Sequence, residues 1–144
     1  MLVSQILKSK SDTSVVTAPP DMSVSDAARM LSDRRIGTLV ITRDGETPAG
    51  ILSERDIVRE LGRQGAECLA RTVDSMMTAK LVTCGPEDRA ESVLMKMTEG
   101  RFRHMPVLEG DRMVGLISLG DVVKARMTEL SMEKDALEGM IMGH

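Results

Sequence analysis

Residues 50–59 read Gly-Ile-Leu-Ser-Glu-Arg-Asp-Ile-Val-Arg, and residues 115–124 read Gly-Leu-Ile-Ser-Leu-Gly-Asp-Val-Val-Lys. Both stretches follow one pattern: a glycine, two aliphatic residues, a serine, two variable residues, an aspartate, two aliphatic residues and a base. Repetition of a motif indicates a fold built from copies of one unit. The serine and the aspartate keep their places in both copies, so the repeat extends to side-chain chemistry.

The repeat continues upstream of this motif. Val16-Thr17 with Pro20 matches Val82-Thr83 with Pro86 at an offset of 66 residues. Each half then has a helical face with apolar residues at i, i+3, i+4 and i+7. These residues are Val24, Ala27, Ala28 and Leu31 in the first half and Ala90, Val93, Leu94 and Met97 in the second. Two leading segments also correspond, residues 3–7 and 73–77, and we call them the leaders.

Periodicity and turn residues predict the order β-α-β-β-α in each half, which is a mixed α/β (α+β) fold. The predicted strands are residues 15–17, 38–42 and 49–52, then 81–83, 104–108 and 113–117. The predicted helices are residues 24–32 and 90–98, one that Ser53 caps and Gly62 stops, and one that starts at Leu119. The segment 62–70, with two glycines, is predicted to be a linker.

Chain length limits the domain organisation. The 144 residues fit one compact unit or two small ones. We place repeat 1 at residues 1–66, repeat 2 at residues 67–128 and a C-terminal helical extension at residues 129–144. A repeat of about 65 residues is marginal as an independent core, so the two copies are expected to pack on each other.

Composition argues against several classes of function. The net charge of −3 gives no general attraction to nucleic acid or to an anionic membrane. No apolar run approaches the roughly 20 residues that span a bilayer. Cys68 and Cys84 lack metal-ligand spacing and are interpreted as reduced structural thiols. Because no signal-peptide pattern is present, we expect a cytoplasmic protein. The cysteine spacing leads us to expect that no metal is required.

The last helix has an apolar stripe of its own. Its members follow a 4-3 spacing interrupted by Lys134: Val123, Met127, Leu130, Leu137 and Ile141. Such a stripe on a helix of roughly 20 residues is too long for one small repeat to cover. Apolar stripes of this size seldom stay exposed. The stripe therefore packs against another subunit or folds back on its own domain.

The repeated serine and aspartate have a purely structural interpretation. In Ser53-x-x-Asp56 the serine accepts from the third helical amide and the acid answers the helix dipole, which is a capping box. Similar pairs, Ser23-x-x-Asp26 and Asp88-x-x-Glu91, stand where the other helices begin. The spacing alone is therefore weak support for a ligand site.

The position of the motif supports a second interpretation. At Ser53 and Ser118 the pair follows a strand directly, where a helix N-terminus offers amides to a phosphate. A carboxylate one turn further on suits two ribose hydroxyls, and Arg55 adds a cation for phosphate. The strands that end near Thr17 and Thr83 can offer backbone groups to an adenine edge. Together these parts describe a nucleotide site.

The two halves resemble a pair of CBS domains, the tandem repeat (Bateman module) named after cystathionine β-synthase and also inserted in IMP dehydrogenase. The resemblance covers nearly the whole chain, and the long C-terminal helix is similar to that of stand-alone bacterial members. The motifs that carry it are Val16-Thr17-x-x-Pro20, Gly50-Ile51-Leu52-Ser53-x-x-Asp56, Val82-Thr83-x-x-Pro86, His104-Met105-Pro106-Val107 and Gly115-Leu116-Ile117-Ser118-x-x-Asp121.

This resemblance implies two repeats packed around a pseudo-twofold axis, with an adenosine ligand in the clefts between them. The ligand would be AMP, ADP, ATP, NAD or S-adenosylmethionine. The implied nucleotide-binding residues are Val16, Thr17, Ala18, Gly37, Thr38, Ser53, Glu54, Arg55, Asp56, Val82, Thr83, Arg103, His104, Met105, Pro106, Ser118 and Asp121. The family also implies a flat homodimer and an effector protein as partner.

The resemblance gives these residues separate roles. Asp56 and Asp121 would hold ribose, and the serines three residues earlier would contact phosphate or ribose. Thr17, Thr83 and their neighbours would face the base. Arg55, Arg103 and His104 would meet phosphates, although the latter two also fit a solvated strand edge.

The two copies differ at these positions. The second has Leu119-Gly120 where the first has Glu54-Arg55, and so it lacks that phosphate cation. The first has Thr38 where the second has His104, and so it lacks the imidazole. We therefore expect one asymmetric, stronger site and a second site that is weak or empty.

The leading interpretation is a nucleotide-sensing regulatory module with ligand between the repeats. The alternative is a ligand-independent dimerisation or protein-interaction module. An enzyme has the least support, since the chain has no P-loop, no Gly-x-Gly-x-x-Gly and no activated nucleophile. The two aspartates lie on separate copies, which gives no support to a paired-carboxylate mechanism.

Overall fold

The protein is described by a computed structural model, which covers residues 1–11 and 14–142. The helices are α1 (Val3–Ser9), α2 (Val24–Arg34), α3 (Glu54–Gln64), α4 (Ala90–Gly100) and α5 (Leu119–Ile141). The strands are β1 (Thr17–Ala18), β2 (Thr38–Thr42), β3 (Pro48–Ser53), β4 (His104–Glu109) and β5 (Arg112–Ser118). The mixed α/β fold is thereby confirmed.

The chain divides into two compact units. The first-repeat unit consists of Ser14–Val82 and Glu109–Val114. The second-repeat unit consists of the N-terminal segment, Thr83–Leu108 and the chain from Gly115 onward. The sequence-repeat boundaries at 1–66, 67–128 and 129–144 stay a prediction, because the compact units of the structure need not coincide with the sequence repeats.

In the first-repeat unit, three strands form one sheet in the order β1-β2-β3. Strand β1 runs parallel to β2, and β2 runs antiparallel to β3 with Thr38 opposite Ser53. Every residue of β2 is buried, as expected for a central strand rich in β-branched residues. Helices α2 and α3 add Val24, Leu31 and Ile57 to the same core.

In the second-repeat unit, the strand predicted at residues 81–83 does not form. Its place is taken by a single parallel bridge between Cys84 and Val107. That bridge is the counterpart, 66 residues on, of the pairing between Ala18 and Ile41. The remaining pair, β4 and β5, forms as predicted. The repeat therefore keeps its register even where the strand is reduced to one residue.

Each leader packs on the body of the other repeat. Helix α1 carries the first leader into the core of the second-repeat unit, where Val3 and Ile6 are buried. The second leader belongs to the first-repeat unit, where Val73 is fully buried and its amide donates to the Met22 carbonyl at 2.8 Å. Neither repeat therefore completes its core with its own leader.

The leaders explain the glycine that opens the repeated motif. A Cβ atom on Gly50 would lie 2.4 Å from Sδ of Met77 and 3.0 Å from the Thr78 carbonyl oxygen. A Cβ atom on Gly115 would lie 2.9 Å from Cδ2 of Leu7. Leu7 and Met77 are equivalent leader residues, so both copies need glycine for the same close approach.

Two predicted element ends are wrong. Helix α3 passes through Gly62 and ends at Gln64, before Gly65 with φ 75°. The predicted linker at residues 62–70 is instead helical, with a 3-10 helix at Ala66–Ala70 whose Cys68 is fully buried. A glycine inside a helix costs only about 1 kcal/mol relative to alanine, which tertiary packing can offset.

Helix α5 extends well beyond its contacts with the unit. Its inner face buries Val122 and Ala125. The apolar stripe predicted from the sequence lies on a different face and is exposed, at Val123 (40%), Met127 (66%), Leu130 (53%), Leu137 (59%) and Ile141 (84%). The interpretation that this stripe folds back on its own domain is therefore wrong. Among the described residues, no helix has the length and apolar character to cross a membrane.

Candidate functional site

The repeated serine and aspartate form a capping box at the start of α3 and again at the start of α5. In the first copy the Asp56 amide donates to Ser53 Oγ at 3.2 Å, and the Ser53 amide donates to Asp56 Oδ2 at 2.9 Å. In the second copy the corresponding distances for Ser118 and Asp121 are 3.1 Å and 2.9 Å. The structural interpretation of the Ser-x-x-Asp spacing is therefore confirmed in both copies.

The other two candidate caps behave differently from each other. Ser23 does cap α2, since its hydroxyl accepts from the Asp26 amide at 3.0 Å. The cap predicted at Asp88 is wrong, because α4 begins after Arg89 and Asp88 accepts from the Gly85 amide at 2.8 Å. At both strand–helix junctions, the serine and the aspartate of the capping box each accept a hydrogen bond from the other's backbone amide.

In the first copy the Asp56 carboxylate pairs with groups of its own helix and helix cap. Asp56 is 8% exposed. Its Oδ2 accepts from the Ser53 amide and hydroxyl, and its Oδ1 accepts from Arg59 Nη2 at 3.0 Å. Arg59 was not among the residues predicted for the site, although it is the base that ends the repeated motif. The Arg59 side chain is 57% exposed, so this ion pair is weak and displaceable.

In the second copy the cation comes from another part of the chain. Lys10, just after α1, places Nζ 2.9 Å from Asp121 Oδ2 and donates to the Leu116 carbonyl at 3.1 Å. Lys124, the counterpart of Arg59, is exposed. Burial acts to raise the pKa of Asp121, but the Ser118 amide and the Lys10 ammonium outweigh it and hold that pKa below its usual value.

Sequence reasoning also missed Lys10. The signal was nevertheless present, because Lys10 and Lys80 keep the offset of 70 residues that relates the two leaders. The leaders match each other less closely than the two glycine motifs do, so sequence comparison does not place Lys10 near Asp121. The packing of α1 against α5 brings the two residues together.

The first-repeat unit brings most of its predicted site residues to one edge of the sheet. Thr38 at the start of β2 lies opposite Ser53 at the end of β3. The Glu54 amide donates to the Gly37 carbonyl at 2.9 Å, and the Val16 carbonyl accepts from the next strand. The next residues, Thr17 and Ala18, form β1, while Arg55 is exposed and Val82 lies at the end of this unit.

The second-repeat unit repeats this arrangement, except that the single Cys84 bridge takes the place of β1. The Leu119 amide donates to the Arg103 carbonyl at 2.8 Å, as Glu54 does to Gly37. His104 begins β4, and Thr83 immediately precedes the Cys84 bridge. Met105 is fully buried in the core, so its backbone rather than its side chain is available to a ligand. Pro106 is buried beside it.

The remaining chemistry of the described residues is sparse. Residues 1–11 and 14–142 contain no group of three side chains able to hold a metal ion. Both cysteines are buried and unpaired, and burial raises the pKa of Cys84 to about 11. A thiol of that kind is protonated at neutral pH and is a poor nucleophile. The two capped junctions are therefore the candidate functional site.

Comparisons with known proteins agree with this architecture. A family model described as CBS domain matches residues 3–63 and 73–128. The CBS domain-containing protein CBSX3, mitochondrial, of Arabidopsis thaliana is 35% identical over 148 residues, which cover 98% of this chain and 72% of that protein.

Solved structures of similar proteins have the same fold. The CBS-domain containing protein ATU1752 from Agrobacterium tumefaciens is 41% identical, with a TM-score of 0.82 over 88% of this chain and 99% of that one. The CBS domain pair of protein MJ0100, solved in complex with 5′-methylthioadenosine and S-adenosyl-L-methionine, is 25% identical, with a TM-score of 0.75 over 87% of this chain and 98% of that one. The chain therefore belongs to the CBS domain family, as a tandem pair of repeats.

Proposed function

We propose that the chain is a regulatory module that binds an adenosine nucleotide such as AMP, ADP, ATP or NAD at its two capped junctions. The observation that carries this proposal is the duplicated junction itself. Each copy sets helix amides, a serine hydroxyl, an aspartate and a cation side by side at the end of a strand. The complex of the MJ0100 domain pair with two adenosine compounds adds support.

The chemistry of the junction suits the parts of a nucleotide. A carboxylate accepts hydrogen bonds from a ribose diol, and Asp56 and Asp121 are the only acids that cap α3 and α5 in the described chain. The positive end of each helix favours phosphate. We propose that Arg55, Arg103 and His104 donate hydrogen bonds to phosphate, and that the edges near Thr17 and Thr83 offer backbone groups to adenine.

Binding regulates a partner only if the ligand prefers one state of the module. The ribose must compete with Arg59 in the first copy, which breaks an ion pair within α3. We infer that this exchange is how occupancy changes the surface that an effector protein meets. The cytoplasmic location and the absence of catalysis stay predictions.

The test is nucleotide binding by purified protein. We expect AMP or ATP at millimolar concentration to raise the melting temperature, since a ligand at 100 times its Kd stabilises the folded state by about 2.7 kcal/mol. Inosine monophosphate serves as a control for general phosphate binding. No change in melting temperature with AMP, ATP, NAD and S-adenosylmethionine would contradict the proposal, and release of product from a bound nucleotide would make the protein an enzyme instead.

A second candidate function, dimerisation without ligand, is favoured by the exposed stripe on α5. Its 4-3 spacing is that of a coiled-coil seam. In antiparallel pairing, Lys124 would lie beside the Glu138 of a second copy. In parallel pairing, Glu133 would instead meet Glu138, which is a like-charge pair. We infer an antiparallel homodimer, with Lys134 in the seam fixing the orientation.

Leu130→Asp is expected to convert this dimer to a monomer, because it places a charge at the centre of the buried seam. Sedimentation velocity or native mass spectrometry measures the subunit count. Met132→Asp is the matched control, since Met132 is 63% exposed but is not a member of the 4-3 stripe, and this change should leave the dimer intact. If both variants keep the oligomeric state of the parent protein, the seam is not the interface.

A further inference from the structure

The two candidate sites take their cation from different parts of the chain. In the first, Asp56 pairs with Arg59 of its own helix at 3.0 Å. In the second, Asp121 pairs with Lys10, which lies 111 residues away in sequence, at 2.9 Å. The equivalent residues, Lys80 just after the second leader and Lys124 in α5, are both exposed. The repeated aspartate therefore has a cationic partner from a different sequence position in each copy.

The position of Lys10 is fixed by packing. Helix α1 is held by its Val3 amide, which donates to the Asp88 carbonyl at 2.8 Å, and by its Ser4 amide, which donates to the Pro86 carbonyl at 2.9 Å. Leu7 lies directly over Gly115. The Lys10 side chain is 27% exposed, so its ammonium is partly desolvated and keeps a path to solvent.

The second site needs this cation. Position 120 is glycine where the first copy has Arg55, so the second motif supplies no phosphate cation at that position. Without Lys10, the Asp121 carboxylate would give the junction a negative charge that repels phosphate. Lys10 cancels that charge. An ammonium has three N–H donors, and two of them serve Asp121 and Leu116, so one remains for a ligand.

We propose that Lys10 is the phosphate-selecting cation of the Ser118–Asp121 site. It makes that site prefer phosphorylated nucleosides to uncharged ones, as Arg55 would do in the first copy. The N-terminal segment is thereby part of the second binding site, and nucleotide at that site contacts the segment directly. This inference rests on the proposed nucleotide-binding function.

The test compares adenosine with AMP by isothermal titration calorimetry. The protein carries Asp56→Ala, so that the second site dominates the signal, with or without Lys10→Met. We expect Lys10→Met to weaken AMP binding about tenfold, as for loss of one partly screened charge pair, and to change adenosine binding little. Lys80→Met, which changes the matched lysine three residues after the second leader, should change neither affinity. Lys10→Arg should restore the preference for AMP.

The outcomes separate this inference from the function on which it rests. If neither adenosine nor AMP binds the protein with Lys10 intact, and the protein without Asp56→Ala also binds neither, the nucleotide function is wrong. If AMP binds and Lys10→Met leaves the ratio of AMP to adenosine affinity unchanged, Lys10 is a structural ion-pair partner of Asp121. If Lys10→Met tightens AMP binding, Lys10 competes with the ligand, and the proposed role is overturned.

Discussion

Gly50→Val is expected to lower the free energy of unfolding by about 1–3 kcal/mol, the range for overpacking a core. Gly50 is buried in β3, and even one added carbon would lie 2.4 Å from Met77 Sδ and 3.0 Å from the backbone oxygen of Thr78. Valine favours strands, so propensity alone predicts a gain. Urea denaturation followed by circular dichroism measures the difference.

The matched control for this change is Gly62→Ala. Gly62 lies inside α3 with no atom within 4 Å of an added Cβ, so alanine should stabilise the protein by up to about 1 kcal/mol. Combining Gly50→Ala with Met77→Ala should recover part of the loss caused by Gly50→Ala alone, because the double change removes the contact with Met77 and leaves the one with the Thr78 carbonyl. A neutral Gly50→Val would mean that the second leader does not pack over β3.

Asp56→Ala is expected to weaken nucleotide binding at the first site by at least about tenfold, the effect of losing a charged hydrogen-bond acceptor. The same change should lower stability by about 1 kcal/mol, because Asp56 closes the capping box and holds Arg59. The fold should remain. Calorimetric titration with AMP measures the affinity, and thermal unfolding measures the stability.

Ser23→Ala separates these two effects. It removes the hydroxyl cap of α2, a helix that starts neither junction, and should also cost about 1 kcal/mol. Its nucleotide affinity should equal that of the parent protein. Asp56→Asn keeps the shape of the side chain and loses its charge. Equal affinities for the parent, Asp56→Ala and Ser23→Ala would leave Asp56 as a helix cap without a role in ribose binding.

Much of the fold follows from local sequence patterns. The face that Val24 and Leu31 share gives α2, and the β-branched run 38–42 gives β2 with the predicted bounds. The patterns failed where tertiary contacts compete with local signals. Gly62 did not stop α3, and no strand forms at residues 81–83, where the single bridge is made by the next residue, Cys84.

The candidate site divides in the same way. Ser53, Asp56, Ser118 and Asp121 were found from the sequence because a capping box is local, with donor and acceptor three residues apart. The cationic partners were not found. Arg59 is one helical turn from Asp56, whereas Lys10 reaches Asp121 only through the packing of α1.

The sequence by itself determined that one folding unit occurs twice and that a serine and an aspartate open the last helix of each copy. Tertiary structure decided why the motif begins with glycine and which base neutralises each aspartate. The physical reason is that the glycine contacts and the Lys10–Asp121 pair depend on where the leaders pack, whereas Arg59 pairs with Asp56 inside α3. Leu7 and Met77 each lie over a glycine of the repeat that is not their own, and that long-range contact leaves no local pattern in the chain.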